Sequence, residues 1–293
     1  MKNVLLIINP KSGKGTIRSR LLDISDIFIK AGYDLTIYIS QHPGDARAKI
    51  CKVGKFYDMV VCSGGDGTLD EVVSGMMECE KKCPIGYIPS GSTNDFANSL
   101  KIPKNMITAA KRITEENEFP CDIGRFNNDY FVYIAAFGLF TDVSYETPQD
   151  MKNVLGHMAY LLKGVEKLTA IKSYDLTAVL DGTEVSGKFI YGMITNSTSV
   201  GGFRNITGKH VKLDDGVFEV TLIRMPKDIL ELQAILTALL TGKPNEKYMY
   251  QMCASHIEIV SEKEFPWTLD GEYGGEHTKV EIHNDMKALS LLI

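Results

Sequence analysis

Three short segments, each rich in glycine and hydroxyl side chains, have the composition of phosphate-binding turns. They read NPKSGKG at 9–15, GGDGT at 64–68 and PSGSTND at 89–95, and each follows an apolar run and opens a helical pattern. Glycine lets the backbone approach a ligand closely, and the free N–H groups at a helix start attract phosphate. Asp66 is unfavourable beside phosphate unless a cation such as Mg²⁺ bridges the two. Each segment alone also fits an ordinary turn, with Asp66 as a helix cap, but together they favour a phosphorylated ligand and a metal ion.

The first segment matches neither of two common phosphate-binding motifs. In the register of a P-loop, Ile8 would occupy the first glycine position and Gly15 would replace the Ser or Thr after Lys14. Arg18 replaces the last glycine of G-x-G-x-x-G. The basic residues of 11–20, with no acid among them, still predict local anion binding near the N-terminus.

The elements around these segments alternate between strand and helix. Apolar runs of strand length lie at 4–8, 59–63 and 84–89, and residues 34–40 alternate between polar and apolar as a strand does. Helical patterns lie at 16–31, at 44–53, after Asp66 and from about Asn94. Helices between successive strands predict crossovers and a mostly parallel sheet, so the first domain, residues 1–124, is α/β. The three turns then lie at the carboxyl edge of that sheet, where open α/β folds bind ligands.

After Gly124 the pattern becomes mainly β. Strand-like runs occur at 130–137, 174–180, 184–194, 216–224, 255–260, 266–270, 278–283 and 288–292. Helical patterns are limited to 150–168 and 227–241, and Asp181-Gly182 is typical of a hairpin turn. We therefore predict a β-rich second domain, residues 125–293, whose last residues can return to the first domain. The cleft between two such domains is the default ligand site.

Composition argues against several classes of protein. The chain has 293 residues, 32 Lys and Arg, 37 Asp and Glu, and a net charge of −5, which disfavours a nucleic-acid partner. The apolar stretch 130–140 is far shorter than the roughly 18–20 residues of a transmembrane helix, and the N-terminus does not fit a signal-peptide core. Six cysteines without C-x-x-C and six histidines without H-E-x-x-H predict reduced thiols and histidines with surface or hydrogen-bonding roles rather than metal binding. No G-x-S-x-G motif supports a serine nucleophile.

Several of these motifs together resemble a known family. GGDGTLDEVVSG at 64–75, GSTNDFA at 91–97, NPKSG at 9–13 and DIG at 122–124 resemble the catalytic domain of diacylglycerol-kinase-type lipid kinases. The segments 143–168, KLDDG at 212–216 and LDGEYGG at 269–275 are similar to the soluble bacterial diacylglycerol kinase branch, so the resemblance covers nearly the whole chain. It implies a phosphofructokinase-like N-terminal α/β domain and a C-terminal β-sandwich domain. It also implies ATP and Mg²⁺ as cofactors and transfer of the γ-phosphate to a lipid hydroxyl, with diacylglycerol converted to phosphatidic acid.

The resemblance implies roles for individual residues. The implied nucleotide-binding positions are Asn9, Pro10, Lys11, Ser12, Gly13, Ser40, Gly64, Gly65, Asp66, Gly67, Thr68, Leu69, Asp70, Ser92 and Asp95. The implied catalytic Mg²⁺ network comprises Asp66, Asp95 and Asp122, and a structural Mg²⁺ would be held by the Lys212 and Val217 carbonyls and the Asp215 carboxylate. Glu272 matches the family's general base. An independent argument agrees, because phosphoryl transfer needs a carboxylate to take the proton and the Asp270-Gly271 turn presents Glu272 at a loop edge; the alternative is an exposed hairpin acid.

Some positions depart from the family pattern and leave alternatives open. Asp70 stands where Asn is usual, Asn98 where many members have Arg, and Ser40 and Ser92 replace the commoner Thr. The alternatives are a kinase acting on NAD or another lipid alcohol, and a non-catalytic nucleotide- or lipid-binding regulatory protein. For a lipid kinase we expect a cytoplasmic protein, transiently at the inner face of the membrane, with exposed apolar residues from Tyr145 to Leu162 unless that stretch is core. Exposed strand edges in the β domain favour a homodimer.

Overall fold

The computed structural model describes residues 1–13, 15–92, 94–139, 141, 171–200, 203–204 and 211–293. The helix predicted near 150–168 and the apolar stretch Tyr145 to Leu162 lie outside these residues. The chain divides into two units: unit 1 comprises Met1–Ile123 and Met286–Ile293, and unit 2 comprises Gly124–Asp285. Among the described residues, no helix combines the length and apolarity that crossing a bilayer requires.

Unit 1 is an alternation of strands and helices. Its elements are β1 (Lys2–Ile8), α1 (Ile17–Lys30), β2 (Tyr33–Ile39), α2 (Asp45–Val53), a 3-10 turn (Gly54–Phe56), β3 (Met59–Gly64), α3 (Asp66–Met77), β4 (Ile85–Pro89), α4 (Asp95–Ser99), α5 (Met106–Ile113) and most of β5 (Glu118–Phe126). The strands β2, β1, β3 and β4 are parallel neighbours in that order. The chain's last residues add a further parallel strand, with Leu291 opposite Ile85.

Burial explains why β1, β3 and β4 read as continuous apolar runs. Residues 4–8 of β1 and all of β3 and β4 are buried, as expected for a parallel sheet covered on both faces by helices. The covering helices are amphipathic: α1 buries Ile17, Ile24 and Phe28, which share one face at helical spacing. The predicted α/β fold is therefore confirmed for unit 1.

Unit 2 is built mainly from antiparallel strands. Its elements are β6 (Asp129–Phe131), β7 (Ile134–Gly138), β8 (Tyr174–Leu180), β9 (Thr183–Thr195), β10 (Ser199–Val200), β11 (Phe203–Arg204), β12 (Phe218–Arg224), α6 (Ile229–Thr241), β13 (Met249–Ala254), β14 (His256–Leu269) and β15 (Glu272–Leu292), the end of which belongs to unit 1. Neighbouring strands follow the order β13, β12, β9, β7, β14, β15, and β8 pairs with β9 and β14. The predicted Asp181-Gly182 turn joins β8 to β9 with both residues at positive φ, as a two-residue hairpin requires. The prediction of a β-rich second domain is confirmed.

An aromatic cluster fills the core of unit 2. Trp267 is fully buried and lies directly across the β7–β14 ladder from Phe137, with ring centroids 4.9 Å apart. Phe126 and Phe265 complete edge-to-face or tilted contacts with Trp267 at 5.1 and 5.6 Å. Such pairs add about 0.5–1.5 kcal/mol each beyond the burial of apolar area. This core therefore fixes the end of β14, three residues before the turn that leads to Glu272.

The structure corrects several predicted strands. The run 130–137 is not one strand, because the N–H groups of Val132 and Tyr133 donate to the Asp270 carboxylate instead of a neighbouring strand, which separates β6 from β7. The pairs 255–260 with 266–270 and 278–283 with 288–292 are single long strands, β14 and β15. The chain stays extended through 261–264, and the β14–β15 register shifts between Val260 and Phe265 and again between Pro266 and Thr268. The elements α5, β5 and β13 were not predicted from the sequence.

Candidate active site

The three glycine-rich turns of unit 1 meet at one edge of the parallel sheet. They follow β1, β3 and β4, which are parallel neighbours, so their carboxyl ends coincide. The Asn9 N–H donates to the Ser63 carbonyl at 2.9 Å, and the Asn9 Nδ2 donates to the Thr68 Oγ1 at 3.0 Å. The Ser90 N–H donates to the Gly64 carbonyl at 2.8 Å. These bonds join segments that lie far apart in the sequence into one surface.

The backbones of these turns approach each other so closely that no side chain fits between them at two glycine positions. A Cβ on Gly13 would lie 2.3 Å from the Ser90 carbonyl oxygen, and Gly13 has a φ of +55°. A Cβ on Gly91 would lie 2.6 Å from the Gly65 Cα. Any other residue at Gly13 or Gly91 would push the turns apart, so glycine is required here by close backbone approach. The result is a cradle of backbone groups at the start of α3 and α4.

The Asp66 carboxylate accepts a backbone hydrogen bond that links the second turn to the third. Asp66 is the first residue of α3, and its Oδ2 accepts from the Asp95 N–H at 3.1 Å. The N-cap residue of α3 is Gly65, and Asp66 is already inside the helix, so the alternative that Asp66 serves as the helix cap is wrong. Asp95 is the first residue of α4 and is 2% exposed. Acidic residues at the starts of two helices that follow glycine-rich turns favour a bound cation together with phosphate.

Burial and the negative charge of Asp66 raise the pKa values of two neighbouring groups, Tyr87 and Cys62. Burial first, and then the charge of Asp66, raise the pKa of the Tyr87 hydroxyl well above its ordinary value. Tyr87 therefore stays a neutral donor, and its hydroxyl lies 3.3 Å from the Gly64 carbonyl and 3.2 Å from the Asn94 Oδ1. Burial, followed by the charges of Glu71 and Asp66, likewise raises the pKa of the Cys62 thiol.

Asn94 shapes the third turn, although the sequence analysis gave it no role. Its backbone is left-handed, with a φ of 52°, a conformation that Asn tolerates better than most residues. Its Oδ1 accepts from the Gly91 N–H at 3.0 Å and its Nδ2 donates to the Gly91 carbonyl at 2.8 Å. The side chain thus closes the loop between β4 and α4.

The remaining predicted nucleotide residues differ in their access to a ligand. Lys11, Gly13 and Ser92 are exposed, and Ser40, which follows β2, donates its N–H to the Ile8 carbonyl at 2.9 Å. Leu69 packs into the core at 1% exposure, so only its backbone could contact a ligand. The other predicted members of the set range from half-buried to buried and lie on the turns or the first turn of α3: Pro10, Ser12, Gly67, Thr68 and Asp70.

Asp122 lies on β5 and is fully buried. Its Oδ1 accepts from the N–H of Lys287 at 2.7 Å. Lys287 has a φ of 51° and precedes the final strand segment of unit 1. The carboxylate of Asp122 therefore helps to hold the end of the chain against β5.

Glu272 lies in unit 2 and opens β15. It is exposed, and the two-residue turn Asp270-Gly271 pairs it with Leu269 at the end of β14. Asp270 is 4% exposed, and its carboxylate accepts from the N–H groups of Val132, Tyr133 and Ile134 at 2.5, 2.9 and 2.9 Å. The turn is thus pinned by three backbone donors, a role that turn chemistry alone could not reveal.

The segment Lys212–Val217 forms a loop before β12. Asp215 is exposed and its Oδ1 accepts a long, 3.4 Å hydrogen bond from the Val217 N–H, while Gly216 turns the chain with a φ of +82°. Glu219 follows on β12, and the sequence analysis did not consider it. Its Oε2 is buried without a hydrogen-bond partner among the described residues. Burial, with a smaller contribution from Asp215, raises the pKa of Glu219 to about 8.

Unit 1 is a parallel sheet with glycine-rich turns in close contact at its carboxyl edge, and the same chain continues into an antiparallel β unit. Such a parallel sheet with such turns is typical of proteins that bind phosphorylated ligands. Comparison with known proteins specifies the class. Residues 3–126 match the family described as "Diacylglycerol kinase catalytic domain", and residues 136–292 match the "YegS C-terminal NAD kinase beta sandwich-like domain".

Individual relatives agree with these matches. Diacylglycerol kinases of Staphylococcus aureus strains Newman and USA300 are each 36% identical over 278 residues, which cover 94% of this chain and 87% of those proteins. Two solved structures of diacylglycerol-kinase-type proteins from Bacillus anthracis str. Sterne have TM-scores of 0.83 and 0.81 at 25% and 27% identity. They cover 99% of this chain, which corresponds to 96% and 97% of theirs. The chain therefore belongs to the diacylglycerol kinase family of lipid kinases, as its motifs predicted.

Proposed function

We propose that this kinase transfers the γ-phosphate of ATP to the hydroxyl of a membrane lipid, with diacylglycerol as acceptor and phosphatidic acid as product. The observation that supports it most directly is the cradle of three turns in unit 1, where the Asp66 carboxylate accepts a hydrogen bond from the Asp95 N–H. The Staphylococcus aureus relatives, named diacylglycerol kinases, support the choice of lipid.

The residues of the cradle fit a nucleotide with its metal ion. At Gly13, Gly65 and Gly91 the backbones of the turns approach each other closely, with no side chain between them, so a ligand can meet the backbone itself. Asp66 and Asp95 provide the hard oxygen ligands that Mg²⁺ prefers. When bound, Mg²⁺ would offset phosphate charge that the two carboxylates alone would repel. Lys11 is exposed beside the first turn and adds a cation for the phosphates.

Glu272 is the proposed general base. Its exposed carboxylate would accept the proton of the lipid hydroxyl as the oxygen attacks the γ-phosphorus. The three hydrogen bonds to Asp270 fix the turn that presents Glu272, which limits the positions that its carboxylate can sample. Asp66 is the proposed second catalytic residue, through its contact with the metal and phosphates.

A structural Mg²⁺ is proposed at the Lys212–Val217 loop. The donor set is the Lys212 and Val217 carbonyls with the Asp215 carboxylate, all oxygen ligands. The buried, unpartnered Oε2 of Glu219 supports a cation near this loop, because a bound cation would offset the cost of burying a carboxylate beside Asp215.

The test is transfer of ³²P from γ-labelled ATP with Mg²⁺ to a panel of lipids in mixed micelles, with NAD in a parallel reaction. Label in phosphatidic acid is expected. Glu272→Gln should abolish most of the turnover while retaining ATP binding, and Glu276→Gln, an exposed carboxylate on the same strand, should change neither.

Other outcomes would contradict the proposal. Label in NADP would identify an NAD kinase, and label in another lipid alcohol would reassign the substrate. ATP binding without any labelled product would indicate a regulatory protein. Unchanged lipid phosphorylation by a well-folded Glu272→Gln protein would refute the role of Glu272.

A further inference from the structure

Two histidines and a glutamate cluster on the surface of unit 2, away from the sequence motifs. The Glu281 Oε1 lies 2.9 Å from the His283 Nε2 and 3.3 Å from the His256 Nε2. Each side chain offers one potential metal-ligand atom, and these three atoms lie within 4.8 Å of one another. The two imidazoles and the carboxylate are exposed or half-buried, so an ion from solution could reach them.

The strand pairing brings these side chains together. His256 on β14 lies directly opposite His283 on β15, and Glu281 lies two residues before His283, so all three project from the same face of the ladder. The alternating residues on the opposite face, Ile257, Ile259, Val280 and Ile282, are buried in the core. The cluster therefore stands on a regular, core-packed part of the sheet.

The backbone beneath the cluster is held from both sides. The His256 N–H donates to the Asp181 Oδ1 at 2.8 Å, and the Asp181 N–H donates to the His256 carbonyl at 3.0 Å. The Glu281 N–H donates to the Asn127 Oδ1, and the Asn127 N–H to the Glu281 carbonyl, both at 2.9 Å. Ligands on such a support lose little conformational freedom when they bind an ion.

We propose that His256, Glu281 and His283 form a Zn²⁺-binding site that joins β14 to β15. In a tetrahedral zinc site with bonds of about 2.0–2.1 Å, neighbouring ligand atoms lie about 3.3 Å apart. The two distances from Glu281 are already close to that separation. Imidazole nitrogen with one carboxylate suits Zn²⁺ better than Mg²⁺ or Ca²⁺, which prefer all-oxygen sites. Three protein ligands leave the fourth position to water.

Binding requires one local adjustment. The rings of His256 and His283 are stacked, with centroids 4.3 Å apart and planes 10° from parallel, so their lone pairs do not yet converge. Binding would tilt the two surface rings toward Glu281, a change that rotation about side-chain torsions can supply without moving the strands. The neighbouring Glu258 forms an ion pair with Lys279 at 2.7 Å, so its charge is already partly offset.

The test uses the full-length protein, stripped of metal with a chelator and titrated with Zn²⁺ by calorimetry. His256→Asn, Glu281→Gln and His283→Asn should each weaken the tight binding event by about tenfold or more. His42→Gln, which removes an exposed imidazole of unit 1, should leave it unchanged. Zn²⁺ should also raise the melting temperature of the wild-type and His42→Gln proteins more than that of the three cluster variants.

Cobalt distinguishes this site from the thiols. Co²⁺ bound at the cluster should show no thiolate charge-transfer band, whereas binding at the exposed Cys51 or Cys253 would produce one. Equal Zn²⁺ affinity in all five proteins, absence of binding to the wild type, or a thiolate band would each overturn the proposal. The kinase assay plays no part in this test, so its outcome is independent of the proposed function.

Discussion

The hairpin that presents Glu272 depends on the buried Asp270 carboxylate, which accepts three backbone hydrogen bonds. A buried donor left without an acceptor costs about 1–3 kcal/mol. Asp270→Ala removes the acceptor of three such donors, so it should lower the free energy of unfolding of unit 2 by roughly 3–9 kcal/mol. Asp270→Asn keeps one acceptor oxygen but turns an NH₂ group toward at least one N–H, and it should cost about 1–3 kcal/mol.

The same substitutions should also slow catalysis, because they would change the position of Glu272. A misplacement of about 1 Å at a reacting group can reduce the rate about a hundredfold. Asp270→Asn should therefore lower kcat for lipid phosphorylation on the order of 100-fold while leaving ATP affinity unchanged, because the cradle lies in unit 1. Hydrogen exchange should show faster exchange of the amides of Val132, Tyr133 and Ile134.

The matched control is Asp175→Asn, an exposed carboxylate on β8 of the same unit. It should change neither exchange nor turnover. If Asp270→Asn retains slow exchange at residues 132–134 and full turnover, the argument that this carboxylate pins the hairpin is wrong.

Three further predictions concern unit 1. Gly13→Ala should weaken ATP binding about tenfold or more in a fluorescence titration, because the new Cβ would lie 2.3 Å from the Ser90 carbonyl oxygen. Gly32→Ala is the control: Gly32 has a φ of +86° and nothing lies within 4 Å of the new Cβ, so this variant should lose stability through backbone strain alone. A loss of ATP affinity in both variants would contradict the role of close backbone contact at Gly13. Tyr87→Phe removes the hydroxyl that contacts Gly64 and Asn94. It should lower the urea denaturation midpoint by an amount corresponding to about 1–2 kcal/mol of unfolding free energy. An unchanged midpoint would show that these bonds do not hold the turns. The pKa of Glu116 is lowered by its hydrogen bonds to Lys2 and Tyr33, so its stabilising contribution is present above the unfolded-state pKa and is lost as pH falls. Glu116→Gln should therefore reduce the acid sensitivity of thermal unfolding, and identical pH profiles for both proteins would refute this role.

Much of this protein's local organisation could be predicted from the sequence. The strands β1, β3 and β4 are buried apolar runs, β2 alternates between apolar and polar residues, and the helices between the strands have apolar residues at helical spacing. Glycine-rich turns follow β1, β3 and β4. These signals arise within a few residues, because periodicity and turn chemistry are local properties. Parallel strand order then brings the three turns to one edge, so the composition of the cradle could be recognised before its geometry was known.

Contacts between distant residues were decided only by the tertiary structure. Asp270 divides the apolar run 130–137 into two strands, although it lies more than 130 positions further along the chain. Scattered histidines gave no motif, yet the β14–β15 register stacks His256 on His283 beside Glu281. The buried carboxylate of Glu219 was equally invisible, because burial depends on the strands that pack around β12. Strand register and side-chain burial depend on pairing across long stretches of chain, and no local pattern encodes which distant partner will satisfy a given backbone or carboxylate group.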